Sequence, residues 1–254
     1  MAVVVTKKTK VRHRNGINET LAEMPLSARR VLFLAMVQLD PKKIVKEGAV
    51  FRVSAKDYSE ICDINVDVAY RQLKEAAEQL QKQVISIPKS ELLEPIARVG
   101  ERPWVRPVGT GVRMLNITEW CDYEEGNGYI EVSFTRQMEP YICKLERDYT
   151  TQVLLSSVRL TENNASRLYQ YLRNKISNGK TSYFDIEIDK LKKDLGADQQ
   201  DTYAEFKYFK RAYFKTAVDQ IIKKTEFKSI EIMVAERVKR KISKVRIFYT
   251  YENY

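Results

Sequence analysis

The sequence predicts an α+β protein built from two tandem domains of one plan. Two observations carry that prediction. The same series of amphipathic helical segments and alternating strand segments occurs twice along the chain, and each series closes on a pair of strand segments. Helix, strand, helix, helix and hairpin is the order of a winged helix, whose third helix enters the major groove while the hairpin lies on the backbone. At 254 residues and 44% hydrophobic content the chain is long enough to bury two small cores.

The first series opens with a helix after Pro25, with Ser27 read as its N-cap, ending at Asp40-Pro41 because proline cannot continue a helix. A strand over residues 50–53 follows. Ser54-Ala-Lys-Asp57 is a capping-box pattern that opens a short helix reaching Ile61. Val66, Ala69, Leu73, Ala76, Ala77 and Leu80 then mark the apolar face of a longer helix. Strand-like segments cover residues 84–87, 112–117 and 129–134, the last two joined across Gly126-Asn127-Gly128, a hairpin turn signal. Proline and glycine crowd residues 88–111, which read as an inserted loop with Trp104 packing against its own segment between Arg102 and Arg106. The connection 138–159 carries a helix over residues 137–145.

The second series begins with a helix over residues 162–176, ended by Asn178-Gly179. Residues 183–188 alternate as a strand, and a short helix over 189–195 closes at Gly196, a position suited to left-handed dihedrals. Thr202-Tyr-Ala-Glu205 is a capping-box pattern before the third helix. Residues 228–234 and 244–249 alternate as two strands around Glu236-Arg-Val-Lys-Arg-Lys241. The predicted organisation is a basic N-terminal arm (1–15), a first winged-helix domain (16–150) with the 88–111 insertion, and a second winged-helix domain (151–254).

Charge separates these parts. The net charge is +10, but residues 1–150 hold 23 Lys/Arg against 21 Asp/Glu, whereas residues 151–254 hold 21 against 13. In the first half, Lys7, Lys8, Lys10, Arg12 and Arg14 account for the whole excess. A basic arm and a basic C-terminal half form an electrostatic footprint for nucleic acid. The third helix of the second series concentrates it. At about 100° per residue, Phe206, Phe209, Tyr213, Ala217 and Ile221 share one stripe, while Lys207, Arg211 and Lys215 stack four apart on another with Tyr208 beside them. Like charges so stacked repel, and a polyanion relieves the repulsion. Lys239, Arg240, Lys241, Lys244 and Arg246 make the second hairpin a basic wing suited to phosphate contacts; Tyr70, Arg71 and Lys74 suit a parallel role on the first domain's third helix, which Asp67, Glu75 and Glu78 leave roughly neutral and open equally to a packing or dimerisation reading. Lys210 falls near the apolar stripe, about 40° from Phe206, and reaches a phosphate only by snorkelling.

Other chemistries find little support. Gly179-Lys180-Thr181 lacks the leading glycine of a P-loop, Asn174 standing there, and runs from helix into strand. His13 is the single histidine, so paired histidines of a nicking site and the usual triad base are missing. Cys62, Cys121 and Cys143 are scattered, without zinc spacing, and read as reduced thiols. Asp122, Glu124 and Glu125 read as solvated charge beside a turn. No apolar run approaches a membrane span and no secretory signal opens the chain, so a cytosolic protein without metal, cofactor or catalytic residues is expected.

Five stretches also resemble the replication initiators of iteron plasmids: Lys7-Lys-Thr-Lys-Val-Arg-His-Arg-Asn15, Ala69-Tyr-Arg-Gln-Leu-Lys-Glu75, Phe134-Thr-Arg136 with Glu139-Pro-Tyr-Ile142, Phe209-Lys-Arg211 and Arg240-Lys-Ile-Ser-Lys244. The resemblance implies two winged helices that bind directly repeated double-stranded origin sites as a monomer, melt adjacent DNA and recruit the host initiator and replicative helicase. It also implies a dimer, joined through the first domain, that represses its own gene and restrains copy number. Lys210 and Arg211 match the family's basic pair, and Tyr70, Arg71 and Lys74 its first DNA-facing helix. Lys207 has no counterpart, and residues 88–111 match poorly. A dimeric repressor without initiator activity is the alternative reading.

Overall fold

A computed structural model describes residues 4–40 and 42–252. The chain forms two compact units, residues 1–158 and 159–254, so the division falls after Val158.

Unit 1 starts with β1 (Lys10–Arg14), α1 (Asn18–Glu23), α2 (Leu26–Met36), β2 (Phe51–Ser54), α3 (Ala55–Cys62) and α4 (Val66–Gln81). It continues with β3 (Val84–Pro88), β4 (Val112–Asn116), β5 (Thr118–Tyr123), β6 (Tyr129–Phe134), α5 (Glu139–Ile142), β7 (Tyr149–Val153) and α6 (Leu154–Arg159). The central element is α2, in which every residue from Ala28 to Met36 is buried. A helix apolar nearly all round belongs inside. Its two buried guanidiniums are held by hydrogen bonds: Arg30 donates from Nε to the Val158 carbonyl at 2.7 Å and to Gln72 at 3.1 Å, and Arg29 to the Leu21 carbonyl at 3.3 Å.

Several expectations for this unit are corrected. Pro25, not Ser27, precedes α2, and the Ser27 hydroxyl instead donates to Gln79 at 2.7 Å. The helix ends at Met36, short of Asp40; Pro41 lies outside the described residues. The hairpin across Gly126-Asn127-Gly128 pairs β5 with β6, whereas β4 pairs with β3. Glu119 and Asp122 on exposed positions of β5 masked its alternation in the sequence. The helix expected over 137–145 is the single turn of α5. The basic segment at the N-terminus is strand β1, antiparallel to β7, with Lys10 opposite Val153 and Arg14 opposite Tyr149. The cap at Ser54 forms in part: its Oγ accepts from the Asp57 amide at 3.0 Å, while the Asp57 carboxylate accepts from the Ser54 hydroxyl at 2.8 Å rather than from the Ser54 amide of a full capping box.

The insertion between β3 and β4 is anchored at its base. Arg98 donates to Glu139 at 2.8 Å, Arg136 to Glu101 at 2.6 Å and to the Ile96 carbonyl at 2.9 Å, and the Leu93 amide donates to the Tyr141 hydroxyl at 3.2 Å. Arg136, Glu139 and Tyr141 belong to stretches singled out above for their resemblance, and here they hold a loop. Burial raises the Glu139 carboxyl above the usual range, against the opposing pull of Arg98. Trp104, expected to pack on its own segment, is half-buried against the hydrophobic core of unit 1, with the Arg106 guanidinium 5.8 Å from its ring centre.

Unit 2 comprises α7 (Asn163–Ser177), β8 (Tyr183–Glu187), α8 (Ile188–Asp194), α9 (Phe206–Tyr208), a π-helical turn (Phe209–Phe214), α10 (Lys215–Lys224), β9 (Phe227–Val238) and β10 (Lys241–Tyr251). Its sheet runs β8-β10-β9, and the sheet of unit 1 runs β2-β6-β5. In each, the strand between the first two helices of the winged-helix series, β2 between α2 and α3 and β8 between α7 and α8, pairs with the last strand of the hairpin. The duplication read from the sequence is thus a duplication of sheet order. Gly196 closes α8 at φ +64°, a left-handed conformation that favours glycine, and a Cβ there would displace the guanidinium at the end of the flexible Arg167 side chain. Below the sheet, buried Glu226 accepts from Arg173 and from the Tyr169 hydroxyl, both at 3.1 Å.

Candidate nucleic-acid interface

The third helix of unit 2 is continuous over residues 206–224, with the π-helical turn in its first half. The box expected at Thr202 is not formed: Asp201–Tyr203 is a 3-10 turn, and Glu205 stands at the N-cap without a side-chain bond. Aromatic packing fixes the start instead. Tyr203 sits edge-on to Tyr213 with centroids 5.5 Å apart, and Lys192 donates to the Ala204 carbonyl at 2.7 Å beneath Phe209. The Tyr213 hydroxyl donates to the Leu195 carbonyl at 2.9 Å, and burial raises its pKa.

The π-helical turn follows from the side-chain spacing. Phe209, Tyr213, Ala217 and Ile221 are all buried, with Phe214 and Val218 beside them. Their period is four. In an α-helix each four-residue step overshoots a turn by about 40°, so such a stripe drifts off the core. Bonding from i to i+5 gives about 4.4 residues per turn, roughly 82° per residue, and takes up the drift. The same unwinding straightens the cations. Lys207 and Lys215, about 80° apart on an ideal α-helix, come within roughly 30° of one row that includes Arg211.

All three are exposed, as are Lys210 and Tyr208, and none has an ion-pair partner among the described residues. Lys210 needs no snorkelling: it is exposed, and Phe206, the stripe residue it lies nearest, is itself only half-buried.

The wing is the β9–β10 hairpin, whose outer half projects beyond the core: every residue from Met233 to Val238 is exposed. Val238 pairs with Lys241, leaving a two-residue loop of Lys239 at φ +45° and Arg240 at φ +70°. Two left-handed residues define a primed turn that matches strand twist and normally takes Asn-Gly. Here it takes two cations, each costing about 1 kcal/mol of backbone strain. Lys239, Arg240 and Lys241 are exposed with no carboxylate beside them among the described residues. Lys244 and Arg246, grouped with them from sequence, are engaged within the protein. Lys244 pairs with Glu236 at 2.8 Å, and Arg246 makes two bonds to Asp185, at 2.5 and 2.7 Å, with its guanidinium 5.0 Å from the Tyr183 ring centre. Hydrogen bonds from these cations hold Glu236 and Asp185 below the usual carboxylate range. Of the five wing cations grouped from sequence, the three at the tip are therefore the ones free of carboxylates among the described residues; Arg237 on β9, exposed as well, donates only to the Arg240 carbonyl, at 3.4 Å.

In unit 1, α4 is capped by Asn65, whose side chain accepts from the Asp67 amide at 2.8 Å. Tyr70, Arg71 and Lys74 are exposed on it, among exposed Asp67, Glu75 and Glu78. Tyr70 lies over the wing turn, where a Cβ on Gly128, at φ +69°, would come 2.7 Å from its hydroxyl. This helix presents little net charge.

His13 is not an exposed group of a basic arm. It is fully buried, stacked on Phe33 with centroids 6.3 Å apart, with Gln152 2.9 Å from Nε2 and the Arg14 carbonyl 3.2 Å from Nδ1. Burial pushes its pKa down to about 4, leaving the ring neutral near pH 7. Two residues of the helix face were missed from sequence, Ala212 and Thr216, both exposed and spaced four apart with Tyr208. The signal was the four-residue period itself, whose drift ideal α-helical geometry conceals. No helix among the described residues is long and apolar enough to cross a membrane.

Residues 10–173 match the family described as Initiator Replication protein, WH1, and residues 187–249 match Initiator Rep protein, WH2. The chain is 38% identical to the PI protein of Escherichia coli over 98% of its own length and 85% of that protein's. It is 27% identical to an uncharacterized 27.6 kDa protein of Escherichia coli, over 89% and 90% of the two chains. Its structure matches the crystal structure of Pi initiator protein in complex with iteron DNA at a TM-score of 0.83 and 37% identity, covering 98% of this chain and 99% of that one. The two tandem winged helices inferred from element order are borne out. This chain belongs to the family of initiator replication proteins, with a WH1 domain followed by a WH2 domain.

Proposed function

We propose that the protein initiates plasmid replication by binding direct repeats at the origin as a monomer, promoting melting of adjacent duplex and recruiting the host initiator and helicase. A dimeric form represses the protein's own gene and restrains copy number, and no catalytic step is part of this reading. The observation that carries it is the unpaired cation row of residues 206–224 together with the free basic wing tip, in a chain that matches a relative solved on iteron DNA over nearly its full length. Lys207, Arg211 and Lys215 reach phosphates or guanine edges, with Lys210 on the flanking phosphate, and the wing lies on the backbone. Tyr70, Arg71 and Lys74 form a weaker second contact. With roughly 6 to 10 phosphates engaged, log affinity falls against log salt with a slope near −5 to −9.

Footprinting on DNA flanking the gene, with permanganate probing of unpaired thymines, tests this. Protection of direct repeats with melting beside them supports initiation. Protection of one palindrome without melting supports a repressor, and covalent protein–DNA adducts would replace the reading with an enzyme.

A further inference from the structure

The exposed face of residues 206–224 carries two rows, and only one is charged. With the π-helical turn included, Lys207, Arg211 and Lys215 fall on one line, and Tyr208, Ala212 and Thr216 on a second about 90° further around. All three residues of the second row are exposed, Tyr208 at 47%, and neither the Tyr208 nor the Thr216 hydroxyl has a hydrogen-bond partner among the described residues. We propose that Tyr208, Ala212 and Thr216 form a specificity row that reads thymine C5-methyl groups in the major groove. This inference rests on the DNA-binding reading above.

The chemistry of the row is uniform. It presents an aromatic edge, a methyl and a second methyl beside a hydroxyl, and apolar contact of this kind is what distinguishes thymine in the major groove. The short side chains at positions 212 and 216 let the helix backbone approach base edges, which a long cation at either place would prevent. The neighbouring cation row then serves phosphates and guanine while the helix is held close. Eight residues at about 1.5 Å each give the row a span of roughly 12 Å, the height of three to four base pairs. The π-helical turn makes the row straight: on an ideal α-helix Tyr208 and Thr216 would diverge by about 80° and could not face one groove floor together.

The test replaces each thymine of the footprinted repeat in turn by deoxyuridine, which lacks only the C5 methyl, and measures Kd of the full-length protein by fluorescence anisotropy. Wild-type protein should bind about fourfold more weakly at one or more positions, the value of one buried methyl. Thr216→Ser and Ala212→Gly should each make one such position insensitive to the replacement. Thr216→Ser keeps the helix intact; a thermal melt establishes that Ala212→Gly is folded. If every deoxyuridine position is neutral while the repeat stays bound, the specificity row is wrong and DNA binding stands. Sensitivity that persists unaltered in both variants assigns the methyl contacts to other residues and overturns the proposal equally. Failure to protect any repeat would instead strike at the proposed function.

Discussion

Replacing the wing tip by the turn's preferred residues, Lys239→Asn with Arg240→Gly, should stabilise the fold and weaken DNA binding at once. Both residues sit at positive φ, +45° and +70°. Glycine carries no penalty there and asparagine a reduced one, so relief of about 1 to 2 kcal/mol is expected for the pair. For a unit spanning residues 159–254 that corresponds to a rise in Tm of roughly 5 to 10 °C. Both tryptophans, Trp104 and Trp120, lie in unit 1, so scanning calorimetry is the assay rather than tryptophan emission. Binding changes in the opposite sense. Loss of two phosphate-facing cations should flatten the log-log salt slope by about 1.8, measured by anisotropy across a salt series. An unchanged or lowered Tm refutes the strain argument, and an unchanged slope refutes phosphate contact by the tip.

Arg211→Ala should cost about 1 to 3 kcal/mol in binding and relax one base position if Arg211 contacts guanine; equal loss on all sequences identifies a phosphate contact, and a selection from randomised repeats separates the two. His13 gives unit 1 a pH dependence: its folded pKa, about 4, lies below the ordinary 6.5, so its contribution is whole above pH 6.5 and lost as pH falls towards 4, to about 3 kcal/mol. Urea melts followed by tryptophan emission should show that loss, with a shallower pH slope in His13→Gln. Glu226→Ala removes the acceptor shared by Arg173 and Tyr169 in a site where Glu226 is 2% exposed, and should destabilise unit 2 by about 3 to 5 kcal/mol by calorimetry; a loss under 1 kcal/mol would mean the cluster relaxes to solvent.

What the sequence disclosed was what repeats locally. The periods of Val66 to Leu80 and of Phe209 to Ile221 located both third helices, and local charge located the cation row. Pairings over long sequence separation were hidden. Nothing in Lys10–Arg14 says that its partner is Tyr149–Val153, and its high charge drew attention away from Val11 and His13, which face the core. Lys244 and Arg246 likewise looked equivalent to Lys241 until β8 brought Asp185 opposite Arg246. Turn geometry stayed hidden too, since Lys239-Arg240 carries none of the residues that announce a primed turn.

The pairing of β1 with β7 makes unit 1 a closed circuit. Its first strand waits for a partner well over a hundred residues later, so during synthesis the unit stays open until Tyr149–Val153 has left the ribosome, with α2 covered until then by β2, α3 and, above all, α4. The seam also decides how the molecule can be cut. A truncation ending at residue 150 severs β7 in mid-strand and takes Gln152 from His13 and the Val158 carbonyl from Arg30, whereas one ending after Val158 keeps the circuit intact.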